Sequence, residues 1–208
     1  MKTVIRKVVM LTALCGSTVA NATVVYSGYT FEDNAFADAV VSYNPGPDVG
    51  AGYNVGSAAL GQPDYSGANN TAASLGDAGS LIVQFTDNSL TTSGDSTADL
   101  FIFEIGGAVE YFNVAISTNN IDWIDIGNVL GQPIAIDIDA IAGVTLWEQY
   151  SYVKLTDVLP NQSGHPYGEA DIDAVAAISS APPAGIPEPA TVLLMSLGLA
   201  GLGFRGKK

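Results

Sequence analysis

The chain has little of what builds thiol, zinc or nucleic-acid chemistry. Its 208 residues include one cysteine, one histidine and seven Lys or Arg. A single cysteine excludes a disulfide framework, and one Cys with one His cannot supply the tetrahedral ligand set of zinc. Against those seven basic residues stand 21 acids, giving a formal charge of −14 and a pI near 4.1. Such a polyanion repels nucleic acid and anionic membrane faces, because phosphate recognition needs clustered Lys and Arg. Charged residues are only 13% of the chain while 48% are apolar, too hydrophobic a balance for disorder. The length suits one domain with appendages.

What basic charge exists is displaced to the ends. Lys2, Arg6 and Lys7 stand at the front, and Arg205, Lys207 and Lys208 at the back. Residues 23–180 hold 20 of the acids and Lys154 alone, a formal −19. The basic front leads into Val8-Val9-Met10-Leu11-Thr12-Ala13-Leu14-Cys15 and then Ala20-Asn21-Ala22. A positive start, a short apolar run and a small-x-small site describe a secretory signal peptide over 1–22, cleaved after Ala22, with Ala20 and Ala22 as the site. The run is too short to span about 30 Å of hydrocarbon. Cys15 leaves with the signal, so the mature protein has no cysteine.

At the other end a Pro/Ala/Gly linker, 181–186, precedes Pro187-Glu188-Pro189. The prolines hold off helix formation until residue 190. Residues 190–204 are then uncharged and apolar, and 15 residues at about 1.5 Å rise reach only ~22 Å. With the basic tip held cytoplasmic, this is a short transmembrane stop-transfer helix. The ending, Pro-Glu-Pro, apolar helix and basic tip over 187–208, resembles the PEP-CTERM sorting signal. The resemblance implies a Gram-negative exporter, with an exosortase that recognises Pro187, Glu188 and Pro189 and cleaves nearby. It also implies a transient inner-membrane anchor and a cell-surface, exopolysaccharide-matrix or biofilm destination.

The acidic domain, 23–180, reads as all-β. Short apolar or alternating runs occur at 81–85, 100–105, 111–117, 121–126, 134–139, 150–155 and 172–178, separated by Gly, Asn, Asp and Ser turns. This pattern predicts a single β-sandwich of jelly-roll type. Residues 35–41 are expected to form a short helical turn and 44–79 long surface loops around one strand. In 121–126 the parity of the apolar residues breaks, so one end is expected to leave the sheet. In 134–139, Ile134, Ile136 and Ile138 are expected on one strand face, with Asp137 and Asp139 on the other. Asp171-Ile172-Asp173-Ala174-Val175 echoes Asp137-Ile138-Asp139-Ala140-Ile141. Paired carboxylates on one face repel, and with one lysine in the domain a metal ion is the available counter-charge.

Several phrases resemble the discoidin, galactose-binding type of lectin-like jelly roll. They are Ala59-Leu60-Gly61-Gln62-Pro63-Asp64, Ser117-Thr118-Asn119-Asn120-Ile121-Asp122-Trp123, and Tyr152-Val153-Lys154-Leu155-Thr156-Asp157 followed by Gly168-Glu169-Ala170-Asp171-Ile172-Asp173-Ala174-Val175. Asn120 stands where such hairpins usually have Gly. The resemblance implies a sandwich with its binding surface on loops, often with calcium. Calcium takes six to eight oxygen ligands. Asp87, Asp95 and Asp99 flank one acidic loop, and with Asp171 and Asp173 they form the expected calcium set. Trp123, Tyr65 and Tyr167 are the expected sugar-stacking residues for a polysaccharide partner. A structural matrix component without a discrete ligand is the alternative. A carboxylate-pair glycoside hydrolase is a further one, though no pair stands out among the acids. His165, beside Pro166, lacks the Gly-x-Ser-x-Gly elbow of a serine hydrolase.

Overall fold

A computed structural model describes residues 22–158 and 169–183. The signal segment with Ala20, the stretch holding His165 and Tyr167, and the tail with Pro187, Glu188 and Pro189 lie outside the described residues. Among the described residues no helix is long and apolar enough to cross a membrane.

Strict alternation sets one face of the main sheet. Leu81 and Val83 point inward from β5 (Ser80–Gln84), Phe112, Val114 and Ile116 from β8 (Tyr111–Ser117), and Val153 and Leu155 from β11 (Tyr152–Asp157). With β3 (Ala39–Asn44) and β9 (Ile124–Leu130) at the edges, these strands form a five-stranded antiparallel sheet in the order β3-β5-β11-β8-β9. Their inward residues meet Leu100 and Ile102 of β7 (Leu100–Ile105), Ile134 and Ile136 of β10 (Ile134–Ile136), and Ile172 and Val175 of β12 (Asp171–Ala177). Those strands, with β4 (Ala73–Ser74), make a second antiparallel sheet in the order β10-β7-β12-β4. The two faces close one apolar core, the arrangement of a β-sandwich.

β7 reads as a continuous apolar run because both of its faces are covered. Its second face carries Phe101 and Phe103, which pack with Phe31, Phe36, Ala174 and Ala176. The cover is a hairpin of β1 (Thr23–Tyr26) and β2 (Tyr29–Glu32), with ring centroids 4.7 Å apart for Phe101–Phe103 and 5.4 Å for Phe31–Phe101. Ser27 at φ 50° and Gly28 at φ 82° make the two-residue turn, both positive as a tight hairpin of this hand requires. β12 serves both faces through a bulge. The register slips between Ile172 and Ala174, so Ile172 and Val175 reach the inter-sheet core while Ala174 and Ala176 reach the aromatic layer.

Two local expectations are corrected and a third is borne out. Residues 35–37 are not a helical turn: Phe36 bridges Ala176, Ala37 N donates to Val175 O and Ala177 N donates to Ala35 O, so the segment runs along β12 before β3 begins. Among the described residues the helix that does form is a 3-10 turn at Gly56–Ala59. The strand from Ile134 ends at Ile136, so Asp137 and Asp139 lie on a turn rather than a strand face. The broken parity of 121–126 has its explanation in β9, which starts at Ile124 and leaves Ile121, Asp122 and Trp123 in the preceding turn. A last short pair, β6 (Ser89–Leu90) with β13 (Ser180–Ala181), ties the C-terminal end of the domain to the loop before β7.

Candidate functional site

The acids collect at the two ends of the sandwich. β7 runs from one to the other, with Asp99 just before it and Glu104 near its far end.

At the first end the side chains of Asp99, Asp137 and Asp139 each place an oxygen within 4.8 Å of the others. Main-chain donors hold the arrangement. Ile138 N donates to Asp99 Oδ2 at 2.9 Å, and Asp139 N to Asp137 Oδ1 at 2.9 Å. Asp139 Oδ2 accepts from Ser93 N, Ser93 Oγ and Gly94 N, each at 3.1 Å. Asp99 is fully buried, yet its Oδ1 has no hydrogen-bond partner, and neither has the buried Oδ1 of Asp139. Oxygens left bare inside a protein are costly unless something neutral or cationic meets them. A calcium ion with oxygens at 2.3–2.6 Å spans oxygen pairs up to about 5 Å apart, so these residues fit one.

The same end carries a groove of about 350 Å³, walled by Ser117, Thr118, Asp122, Trp123, Ile124, Gly143, Thr145, Glu148 and Tyr150. Its rim is the β8–β9 hairpin. Asn120 takes φ 61°, which explains how it fills a position that usually demands glycine, since Asn tolerates the left-handed region. Asn119 Oδ1 accepts the Ile121 and Asp122 N–H groups, and Ser117 Oγ accepts that of Asn120. Trp123 is half-buried and belongs to neither core cluster. Lys154, the only Lys or Arg among the described residues, sets its Nζ 6.0 Å from the Trp123 ring centroid. The opposite wall comes from the segment after Asp139, which is pinned to the 92–94 loop: Trp147 N donates to Thr92 Oγ1 at 2.9 Å, and the Trp147 ring lies against Gly94.

At the second end a cleft of about 350 Å³ is lined by Gly50, Tyr53, Tyr65, Ser74, Gly106, Gly107, Glu110, Glu169 and Asp171. Beneath Gly106 lies Glu104, only 1% exposed, with neither carboxyl oxygen hydrogen-bonded. A Cβ on Gly106 would sit 3.9 Å from both Glu104 Oε1 and Asp171 Oδ2, so the missing side chain brings these carboxyls to the cleft floor. Burial pushes Glu104 up to about 9, with Glu110 and Asp171 raising it further; the nearby Asp171 main-chain N–H tempers the rise without reaching hydrogen-bond geometry. Burial pushes Glu110 up to about 8, helped by Asp171, Glu169 and Asp157. Burial also raises Asp171, against a hydrogen bond to the Ser74 side chain. Both glutamates therefore hold protons near neutrality. Tyr65, 40% exposed, hydrogen-bonds Tyr53, which also lines the cleft.

The five acids expected to share calcium are not brought together. Asp99 alone joins the triad, and its companions are the two aspartates of the Asp-Ile-Asp turn. Asp87 lies beside Asp38, whose Oδ2 accepts the Thr86 and Asp87 N–H groups. Asp95 turns back on its own loop, where hydrogen bonds from the Thr97 side chain, from Thr97 N at 2.8 Å and from the Ser93 side chain lower its pKa. Asp171 lines the cleft. Asp173 sits on the β12 bulge, where Oδ1 accepts the N–H groups of Asp64 and Tyr65; burial pushes it up to about 6 despite them. Trp123 and Tyr65 stand at opposite ends, so they cannot form one stacking surface. Glu104 and Glu110 do not stand out in the sequence. Glu104 looks like one polar position in an apolar strand, and that anomaly is the available signal.

Residues 185–208 match the PEP-CTERM protein-sorting motif. The match implies export, a transient membrane-anchored step and processing by exosortase. It covers the tail and does not extend to the domain. No curated protein and no solved structure matches the chain. The discoidin-type resemblance is supported by no match; what stands is an all-β chain in a sandwich-like arrangement.

Proposed function

We propose that the mature protein is a surface or matrix-associated binding module of a Gram-negative bacterium, taking polysaccharide with the help of calcium, and that it is not an enzyme. The observation that carries the reading is the continuity of the Asp99–Asp137–Asp139 triad with the Trp123 groove. Asp137 and Asp139 begin the segment that supplies Gly143, Thr145, Glu148 and Tyr150 to the groove wall. An ion there would draw that segment onto Asp99 and the 93–94 loop, and so set the width of the groove. Trp123 supplies an aromatic face for a sugar ring; Asp122 and Glu148 accept hydroxyl hydrogens, and Ser117, Thr118 and Thr145 offer hydroxyls of their own. A few oriented polar groups around an aromatic wall are the common make-up of small-ligand sites.

A glycan array probed with and without calcium tests this. Saturable binding that needs calcium, and falls at least tenfold in Trp123→Ala and Asp137→Asn, is expected. Calcium-dependent self-association with no saturable glycan would make the protein a structural matrix component instead. Release of reducing ends from any bound glycan would mark a hydrolase.

A further inference from the structure

The cleft at the opposite end has a different character, and it lies outside the calcium-assisted reading. Glu110, Glu169 and Asp171 line it, Glu104 underlies it, and among the described residues no Lys or Arg lines it to balance them. Glu104 is the telling member. A carboxyl 1% exposed with both oxygens unpartnered is expensive to keep, and it faces the floor left open by Gly106. The one acidic group among the described residues compact enough to hold a metal ion is the triad, so the cleft does not present converged hard-cation geometry. It presents spread acids, Tyr53 and Tyr65, Ser74 and three glycines that let a ligand approach the main chain. Spread acids with tyrosine faces suit an organic ammonium, which pairs with carboxylates and is attracted to aromatic rings within about 6 Å.

We propose that this cleft binds an amino sugar, its ammonium directed at Asp171 and at Glu110, which gives up its proton to solvent as the ammonium binds, and its ring against Tyr65. The polar lining matches a polyhydroxylated body better than an alkyl amine, because a hydrocarbon would cover the exposed main chain of Gly107 and the Glu110 carboxyl without offering them a partner. The volume of about 350 Å³ lies at the small end of the ~300–1,000 Å³ usual for ligand sites, which favours a saccharide unit or two over a long chain.

Isothermal titration of the full chain with a glucosamine oligomer, its N-acetylated counterpart and a glucose oligomer of equal length tests the proposal, with calcium chloride alone as a fourth titrant. Binding of the amine form at least tenfold tighter than the other two is expected. Glu110→Gln and Tyr65→Leu should each weaken it tenfold or more while keeping the wild-type circular-dichroism spectrum, and Trp123→Ala should leave it unchanged. Equal affinity for the acetylated or hydroxyl oligomer, or amine binding unaffected by Glu110→Gln, would overturn it. So would calcium binding that Glu110→Gln abolishes, since the cleft would then be a metal site. Glu104→Gln is a poorer probe on its own because Glu104 underlies the cleft without lining it, so the two cleft-lining variants decide the outcome. Loss of glycan binding at the Trp123 groove would leave these outcomes untouched, and the two sites can fail separately.

Discussion

Two acidic ends of one sandwich solve the same electrostatic problem in opposite ways. At the triad, every carboxyl has an oxygen occupied by an N–H donor: Ile138 for Asp99, Asp139 for Asp137, and the 93–94 loop for Asp139. At the cleft, Glu104 has no such donor, and burial pushes it up to about 9. A turn can aim main-chain N–H groups at a carboxylate, whereas the middle of a sheet has already committed its N–H groups to neighbouring strands. Asp137 and Asp139 are on a turn; Glu104 is inside β7. The local backbone thus decides whether an acid is prepared for an ion or for a proton.

The largest expected effect is one that both ends should share. Phe101 packs against Tyr29, Phe31 and Phe103 beneath the hairpin, and Phe101→Ala should cost about 3–5 kcal/mol in chemical denaturation. Because β7 links the ends, both should weaken together; loss confined to one end would show that the strand does not couple them.

Calcium should act on one end only. At a hundredfold excess over its dissociation constant it should stabilise the wild type by about 2.7 kcal/mol, and Asp137→Asn should remove that gain. Tb³⁺ emission excited through Trp147 offers an independent readout, since that ring lies against Gly94, whose N–H binds Asp139.

The pH response should belong to the other end. Glu104 and Glu110 titrate near 9 and 8 in the folded chain and near 4.5 when unfolded, so between these limits the folded state holds protons that the unfolded state has lost. Stability should therefore fall as pH rises from about 5 towards 9, by up to ~1.4 kcal/mol per pH unit for each group. The raised Asp171, Asp157 and Asp173 act in the same direction. Melting curves of Glu104→Gln/Glu110→Gln should be flatter with pH than those of the wild type; an unchanged slope would place the titrating groups elsewhere.

The smallest effect lies in the hairpin. Asn120→Ala at φ 61° should cost about 1 kcal/mol, and Asn120→Gly should be close to neutral.

How far the sequence can be read follows from the same physics. β7 and β8 are legible with their observed ends because apolar content and turn residues agree there. The β1–β2 hairpin is harder to see although Val24, Tyr26 and Phe31 flank Ser27-Gly28, a short-range turn signal overshadowed by the signal peptide before it. The echo between Asp137-Ile138-Asp139 and Asp171-Ile172-Asp173 misleads: one copy is a turn, and the other is a bulged strand. Asp99 is a credible metal ligand from its loop alone, but its partners come from a segment some forty positions later, a pairing fixed only when β10 meets β7. Tertiary registers of this kind leave no local trace.

The most direct test is a set of thermal melts with and without calcium on three proteins: wild type, Asp137→Asn and Glu104→Gln. Calcium should raise the melting temperature of the wild type and of Glu104→Gln, and leave Asp137→Asn where it was. A calcium shift that survives Asp137→Asn and disappears in Glu104→Gln would reverse the roles of the two ends and contradict the distinction drawn between them.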